Sequence, residues 1–215
     1  MSSQVQTQTI QLPEPRLEGT VSLEMTLQNR RSSRHFKPAS IPMEMLGQAL
    51  WAAQGVTVPG DTDSTDGSRT VPSAGALYPL DVYVAVGNVR GLEAGVFKYC
   101  PESHGLQETG RIDKREALGR AVLGRKTMRH APAVIILVGI FGRTTEKFGR
   151  RGFRYVFMEA GHAAQNICLQ AVALKLGSVA IGAFYDDKVS RVLGLANGCT
   201  PLYLLPLGET EDGIF

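Results

Sequence analysis

The sequence predicts an α+β fold, and two observations indicate it. Segments with strand-like alternation and segments with helical periodicity are both present, but they do not alternate regularly, as a doubly wound fold would require. The run from Ala133 to Ile140 is continuously apolar and rich in β-branched residues, as expected of a strand buried on both faces of a sheet. The 215 residues show no internal repeat and no obvious linker. We therefore predict one domain over residues 21–215, preceded by an extended arm over residues 1–20.

The N-terminal half contains two helical patterns and a long loop. Ser22 is a suitable N-cap for a helix running to about Arg31. Apolar residues recur at helical spacing from Met43 to Gln54, which predicts a second helix. Residues 56–70 lack periodicity and are rich in Gly, Asp, Ser and Thr. Loops of this length inside a domain often act as lids or binding loops.

The C-terminal half contains most of the predicted sheet. Asp113 and Glu116 have the spacing of a capping box for a helix to about Gly124, and Asp186 can cap a short helix over 187–193. Strands are predicted at Asp81 to Val86, Gly95 to Tyr99, Ala133 to Ile140, Ser178 to Ala183 and Leu202 to Gly208. The longest helical pattern, Phe153 to Leu176, has an apolar stripe at Phe153, Phe157, Ala160, Ala164, Ile167, Ala171 and Leu174.

Composition excludes several classes of function. The net charge of +3 is too small and the basic residues too scattered to predict a nucleic-acid partner. The longest apolar run, Ala131 to Phe141, is too short to cross a bilayer, so we expect no membrane association. The N-terminus has no secretory pattern, and three cysteines without CxxC spacing are expected to be reduced thiols of a cytoplasmic protein. Four widely separated histidines, none at ligand spacing from a cysteine, predict no metal site.

The segment from Arg30 to Phe36 contains three arginines and two serines. The planar guanidinium group suits phosphate oxygens, and serine adds a short donor. A compact anion such as a nucleotide phosphate is therefore a natural partner. The alternative is a solvated basic end of the preceding helix, where cations are also favoured.

Two further segments place small residues where a flat ligand could approach the backbone. Pro72 to Pro79 has small residues between two prolines, followed by Tyr78. Ala180 to Tyr185 ends a predicted strand in small residues and would leave backbone amides open. Each segment is equally consistent with an ordinary structural role, as a loop entering a strand or as tight strand-to-helix packing.

Taken in order, these motifs resemble the nitroreductase-like FMN flavoproteins, and in particular the branch related to the azoline-oxidising SagB-type dehydrogenases. Seven motifs spread over about residues 20–208 carry the resemblance: RRSSRHF at 30–36, LGQALWAAQGVT at 46–57, RTVPSAGALYPLDVYV at 69–84, GVFKYCPESHGL at 95–106, EKFGRRGFRYVFMEAGHAAQN at 146–166, VAIGAF at 179–184 and PLYLLPLG at 201–208.

The resemblance implies a central mixed, mostly antiparallel sheet flanked by helices, and an intertwined homodimer with FMN at two interface sites. The residues implied to bind FMN come from three segments. The first segment would hold the phosphate and ribityl chain with Arg30, Arg31, Ser32 and Arg34. The second would line the ring from the partner subunit with Pro72, Ser73, Ala74, Gly75 and Leu77. The third would direct backbone amides to the ring from Ile181, Gly182 and Ala183.

The resemblance also implies oxidoreductase chemistry with NAD(P)H and a small organic acceptor, in ping-pong fashion. Lys147 matches the lysine of a Lys-Tyr pair in the peptide-modifying relatives, but Phe148 replaces the tyrosine and cannot transfer a proton. Lys147 is therefore either a base or a solvated cation. The basic residue expected near the C-terminus is absent after Gly208, and Arg154 could substitute for it.

Three functions follow from these residues. The first is an FMN-dependent oxidoreductase acting on small molecules. The second is an azoline-type dehydrogenase acting on a modified peptide, against which Phe148 counts. The third is a flavin-binding or flavin-free interaction protein that has lost catalysis.

Overall fold

A computed structural model describes residues 9–58, 68–123, 128, 130–211 and 213. The strands are β1 Thr9–Gln11, β2 Ile41–Pro42, β3 Val56–Val58, β4 Ser68–Arg69, β5 Leu80–Val86, β6 Val89–Arg90, β7 Gly95–Cys100, β8 Gly105–Gly110, β9 Ala133–Ile140, β10 Gly177–Ser178 and β11 Cys199–Gly208. The helices are α1 Leu23–Asn29, α2 Met43–Gln54, α3 Arg115–Ala121, α4 Phe141–Phe148, α5 Gly152–Ala173 and α6 Asp186–Leu193.

Seven strands form the main sheet in the order β1-β8-β7-β5-β9-β11-β10. Every neighbouring pair in this sheet is antiparallel. Strands β2 and β6 form a separate parallel pair, and β3 and β4 a short antiparallel one. The predicted α+β class with a mostly antiparallel central sheet is confirmed.

Strand β9 lies at the centre of the sheet and is covered on both faces. Its first seven residues are buried, as the β-branched run predicted. Ile135 and Leu137 face a core that includes α2 and α5, whereas Val134 and Ile136 face a second core that includes α3 and α6. Burial of both sides of one strand therefore fixes a three-layer arrangement, with the sheet between two helical layers.

The predicted stripe of α5 is buried from Ala160 to Ala171. Ala160 and Ile167 are almost fully buried, but Phe153 and Phe157 are 48% and 56% exposed. Their rings lie 5.1 and 5.3 Å from that of Phe141, centroid to centroid. The first turns of α5 thus carry an exposed aromatic cluster beside the buried Val156.

Helix α1 starts at its predicted cap but ends early. The Ser22 side chain accepts the Met25 N–H, as predicted, and the helix stops at Asn29 because Arg30 leaves the helical conformation. Helix α4 was not predicted from the sequence. The first and last residues of the predicted loop over 56–70 form the strands β3 and β4, which pair with each other. Residues 59–67 of this loop lie outside the described residues.

Two expectations at other element ends are wrong. The capping box is not formed, because Asp113 precedes the N-cap Lys114 and accepts the Arg115 N–H, while Glu116 pairs with Arg120. Of the predicted strand from Ser178 to Ala183, Ser178 alone lies in a strand, as the last residue of β10. Its continuation leaves the ladder and rejoins β11 through a single bridge.

The described part of the N-terminal arm is attached to the sheet. Strand β1 pairs with β8 at the sheet edge, and Leu12 is buried in the core. His104 Nε2 lies 3.0 Å from the Pro13 carbonyl oxygen, so this nitrogen is the donor. The other ring nitrogen, Nδ1, then accepts from the Tyr99 hydroxyl at 2.8 Å. The neutral imidazole therefore ties the arm to the end of β7.

We predict that this attachment weakens in acid. Burial lowers the pKa of His104 below its usual 6.5, so the unfolded chain binds more protons below pH 6.5 and the free energy of unfolding falls as pH drops through the folded-state pKa. His104→Asn, which tolerates the left-handed backbone of this residue, should cost about 1 kcal/mol at pH 7.5. In urea unfolding that difference should shrink at pH 5.0.

The matched control is His130→Gln, because His130 is exposed. This variant should unfold like the wild type at both pH values. A His104→Asn difference that is as large at pH 5.0 as at pH 7.5 would contradict the proposed attachment.

Candidate active site

The loop between β4 and β5 is held in a strained conformation. Gly75, Ala76 and Tyr78 have positive φ values of 62°, 53° and 42°, a region that suits glycine but is costly for alanine and tyrosine. The Ser73 hydroxyl accepts the Tyr78 N–H at 2.9 Å and closes the turn. Arg143 Nη1 donates to the Tyr78 carbonyl oxygen at 3.1 Å. Such strain persists only where surrounding contacts determine it, and it concentrates at functional sites.

The C-terminal turn of α4 lies against this loop. A β-carbon placed on Gly75 would lie 3.0 Å from Lys147 Nζ and 3.2 Å from the Phe148 ring. The structure therefore brings the predicted catalytic candidate Lys147 to the segment predicted to line the ligand, within one chain. Lys147 is exposed here, which leaves its role as a base or as a solvated cation a prediction.

A buried carboxyl group supports the loop from behind. Glu159 on α5 is 2% exposed, and its Oε1 accepts from Gln54 Nε2 at 3.1 Å. Its Oε2 makes no hydrogen bond of normal length to the described residues, although the Ser73 hydroxyl is near enough to the carboxyl group to lower its pKa. Burial raises the pKa of Glu159, while the Ser73 hydroxyl, Gln54 and the charge of Arg69 act in the opposite direction. The carboxyl group therefore couples α5 and α2 to the strained loop.

Arg69 completes this polar network. Its Nη1 donates to Gln54 Oε1 at 3.2 Å and its Nη2 to Glu102 at 2.7 Å. Its guanidinium carbon lies 4.3 Å from the centre of the Tyr78 ring, a cation–π contact. One side chain thus joins β4, α2 and the loop.

No pattern in the sequence predicts a functional role for Glu159, Gln54 or Arg69. A signal for Glu159 was available, because position 159 lies between Val156 and Ala163 on the buried side of the α5 pattern. An acidic residue on such a face requires polar partners. Its partners are distant in sequence, and only the fold identifies them.

The arginine-rich segment packs beside β10. Ser32 forms a parallel bridge with Ser178, and the Ser33 N–H donates to the Ser178 carbonyl oxygen at 3.1 Å. The guanidinium groups of Arg31 and Arg34 are exposed, and their hydrogen bonds within the described part of the chain go to nearby backbone oxygens. The Ser178 hydroxyl is buried without a partner among the described residues.

The third predicted segment offers two open amides rather than three. The Ile181 N–H donates to the Leu204 carbonyl oxygen at 2.9 Å. Gly182 and Ala183 are exposed, and neither N–H has a partner in the described part of the chain. Of the three predicted amide donors, Gly182 and Ala183 therefore have backbone N–H groups that are open to a ligand.

The structure brings the predicted residues together in two groups. Residues 30–34 lie beside β10, which leads to residues 181–183, while Lys147 lies with residues 72–77. In the described ranges, no hydrogen bond or ion pair joins the two groups. This separation is compatible with the expectation that residues 72–77 complete the site of a partner subunit, an arrangement that stays a prediction.

The donor chemistry fits FMN. Exposed guanidinium groups suit a phosphate, and the open amides at 182–183 suit the polar edge of a flavin ring. Over the described residues, no cluster of three or more His, Cys, Asp or Glu side chains could hold a metal ion. No helix in that same part is long and apolar enough to span a membrane.

Comparison with known proteins assigns the family. The Nitroreductase family profile matches residues 27–209, so the chain belongs to the nitroreductase family. The Methanocaldococcus jannaschii protein MJ1384, named as a nitroreductase, is 42% identical over 203 residues, which cover 94% of this chain and 97% of that one. A crystal structure named for a nitroreductase of Ralstonia eutropha superposes with a TM-score of 0.78 at 28% identity, covering 94% of this chain and 89% of the other.

The predicted similarity to the branch of azoline-oxidising SagB-type dehydrogenases is also confirmed. The microcin B17-processing protein McbC of Escherichia coli is 29% identical over 151 residues, which cover 67% of this chain but only 55% of McbC.

We predict that Glu159→Gln stabilises the protein more as the pH rises. Because the pKa of Glu159 is raised in the folded state, the folded chain binds more protons, and the stability this provides at low pH is lost as the pH rises through the folded-state pKa. The neutral amide avoids that loss. Relative to the wild type, the variant should gain on the order of 1–3 kcal/mol in urea unfolding between pH 5.0 and pH 8.0.

Glu116→Gln on the exposed face of α3 is the matched control, because it also removes one carboxylate. It should show no comparable pH-dependent gain. A Glu159→Gln variant that is less stable than the wild type at both pH values would indicate instead that Glu159 is ionised and stabilised by Arg69.

Proposed function

We propose that this protein is an FMN-dependent oxidoreductase of the nitroreductase family. It transfers two electrons between NAD(P)H or a substrate carbon and a small organic acceptor in ping-pong fashion. The observation that carries the proposal is the strained loop over residues 72–78, held by Glu159, Arg69 and Arg143 and placed against Lys147. The family assignment supports it independently.

Each group of residues has a separate task in this proposal. Arg30, Arg31, Ser32 and Arg34 bind the phosphate and ribityl chain, and the amides at 182–183 donate to the ring. FMN, when bound, supplies a ring that accepts and releases two electrons. The loop over residues 72–77 shapes the face on which reactants stack. Lys147 exchanges a proton with the substrate at Nζ.

A homodimer is part of the same proposal. Phe141, Phe153 and Phe157 form the aromatic cluster at the start of α5, and Met158 beside them is 57% exposed. Large exposed apolar patches mark interaction surfaces. A second copy of this chain covering the cluster would supply the two interface sites that the resemblance implies.

Oxidation of a modified peptide is the second candidate function. The similarity to a microcin-processing protein favours it, as does the placement of Lys147 beside the loop. Phe148 counts against it, because its ring replaces the proton-transferring tyrosine.

Absorption spectroscopy of the purified protein tests the proposed function. We expect a flavin spectrum, about one FMN per chain after heat release, and bleaching by NADH or NADPH in the absence of oxygen. A colourless protein that does not take up added FMN would contradict the proposal and favour a non-catalytic role.

Arg34→Ala tests the predicted flavin residues in the same preparation. Because this guanidinium is exposed and its one hydrogen bond to a described residue goes to a nearby backbone oxygen, its loss should weaken FMN binding about tenfold or more without changing thermal unfolding of the flavin-free protein. Arg120→Ala, which removes an exposed arginine of α3, is the control. Equal FMN affinity in both variants would contradict the assignment.

For the dimer, we predict that Phe157→Glu dissociates the protein into monomers. A carboxylate in the aromatic cluster would have to be buried without a partner in the interface, weakening association by about a hundredfold. Size-exclusion chromatography with light scattering measures this. Ile112→Glu is the control, because it changes a similarly exposed apolar residue on the turn after β8, and it should stay dimeric. A folded wild-type monomer at micromolar concentration would refute the dimer.

A further inference from the structure

A cavity lies beside the strained loop. Its volume is about 430 Å³, and it is bounded by Tyr78 of the loop, by Asp81 and Lys98 of the sheet, and by Arg69 and Arg143 at its rim. This volume is within the range of small-molecule sites. None of the residues so far assigned to FMN except Leu77 borders it.

The charges in this cavity are unequal. Asp81 is only 11% exposed and accepts from two cations, Lys98 Nζ at 2.7 Å and Arg143 Nη1 at 3.0 Å. Arg69 pairs with Glu102, whose side chain is 71% exposed. Three cations therefore face two carboxylates, and the lining carries one excess positive charge. A cavity of this kind attracts a single negative charge.

Arg143 has the donors to hold that charge. Both of its hydrogen bonds to described residues use Nη1, one to Tyr78 O and one to Asp81. Its Nε and Nη2 edge is the edge that binds a carboxylate in bidentate fashion, and the side chain is 41% exposed. A ligand could therefore bind without breaking the existing ion pairs.

The position of Arg143 connects the cavity to the candidate active site. Arg143 and Lys147 are four residues apart on α4 and so lie on the same face, about 6 Å apart along the axis. Leu77 and Tyr78 line the cavity and belong to the same loop as Gly75, against which Lys147 lies. A small molecule anchored at Arg143 can thus extend towards the loop and Lys147.

We propose that this cavity is a subsite for the carboxylate of a small organic acid. Arg143 binds that carboxylate in bidentate fashion, and Lys98 and Asp81 contribute to the net charge of the surrounding lining. The inference rests on the proposed function in one respect: the remainder of that acid carries the group that is oxidised or reduced. The substrate class is therefore organic monocarboxylates, which bind more tightly than their neutral analogues.

Calorimetric titration of the purified protein with 4-nitrobenzoate and 4-nitrobenzamide tests the subsite. The two probes have similar shapes, and only the first is charged. The wild type should bind the acid about tenfold more tightly than the amide, a difference of about 1.4 kcal/mol. Arg143→Met should abolish this preference with little change in affinity for the amide, and Arg143→Lys should restore part of it. Arg120→Met, the matched control from another exposed ion pair, should behave like the wild type.

Two further variants separate the role of Arg143 from that of the neighbouring cations. Lys98→Met leaves the Arg143 contact to the loop intact and removes the excess charge, so it too should reduce the preference for the acid even if Arg143→Met disturbs the loop. If Lys147→Met abolishes the preference and Arg143→Met does not, the carboxylate binds beside Lys147 and the inference is wrong.

Flavin content separates the two proposals. Equal binding of both probes by a protein that contains flavin refutes the subsite alone. A flavin-free protein that still prefers the acid refutes the oxidoreductase function and leaves the carboxylate subsite standing.

Discussion

The fold depends on the burial of both faces of strand β9. A strand whose residues alternate between two cores must have helices on each side of its sheet. Ile135 contacts the core formed with α2 and α5, whereas Ile136 contacts the core formed with α3 and α6. The chain leaves this strand directly into α4 at Phe141. The central strand therefore determines where α4, and with it Lys147, meets the candidate site.

The candidate site combines backbone strain with a buried polar network. Ala76 and Tyr78 occupy a backbone region that costs free energy, and the neighbouring structure offsets that cost through Arg69, Arg143 and Glu159. These side chains come from a strand and two helices and converge on a single loop. A loop held in this way keeps its shape while ligands exchange, as the proposed function requires.

Helix α4 places two cations against that loop. Arg143 faces the cavity beside Asp81, and Lys147 faces Gly75 one turn later. Helical spacing alone places both side chains on one face. The helix was not predicted, because its eight residues are mostly polar or charged and carry too few apolar residues to give a periodic signal. Its existence follows from packing against α5 through Phe141 and Thr144.

The sequence by itself determined the fold class, the limits of α2, the double burial of β9 and the family, because each depends on local periodicity or on ordered motifs. It also identified the arginine-rich segment and the loop over residues 72–79. Only the tertiary structure decided what supports them. Glu159, Gln54 and Arg69 lie up to 105 residues apart, so no local pattern relates them. The exposure of Phe153 and the hydrogen bond from the Ile181 amide to Leu204 likewise depend on how distant elements pack, which local periodicity cannot encode.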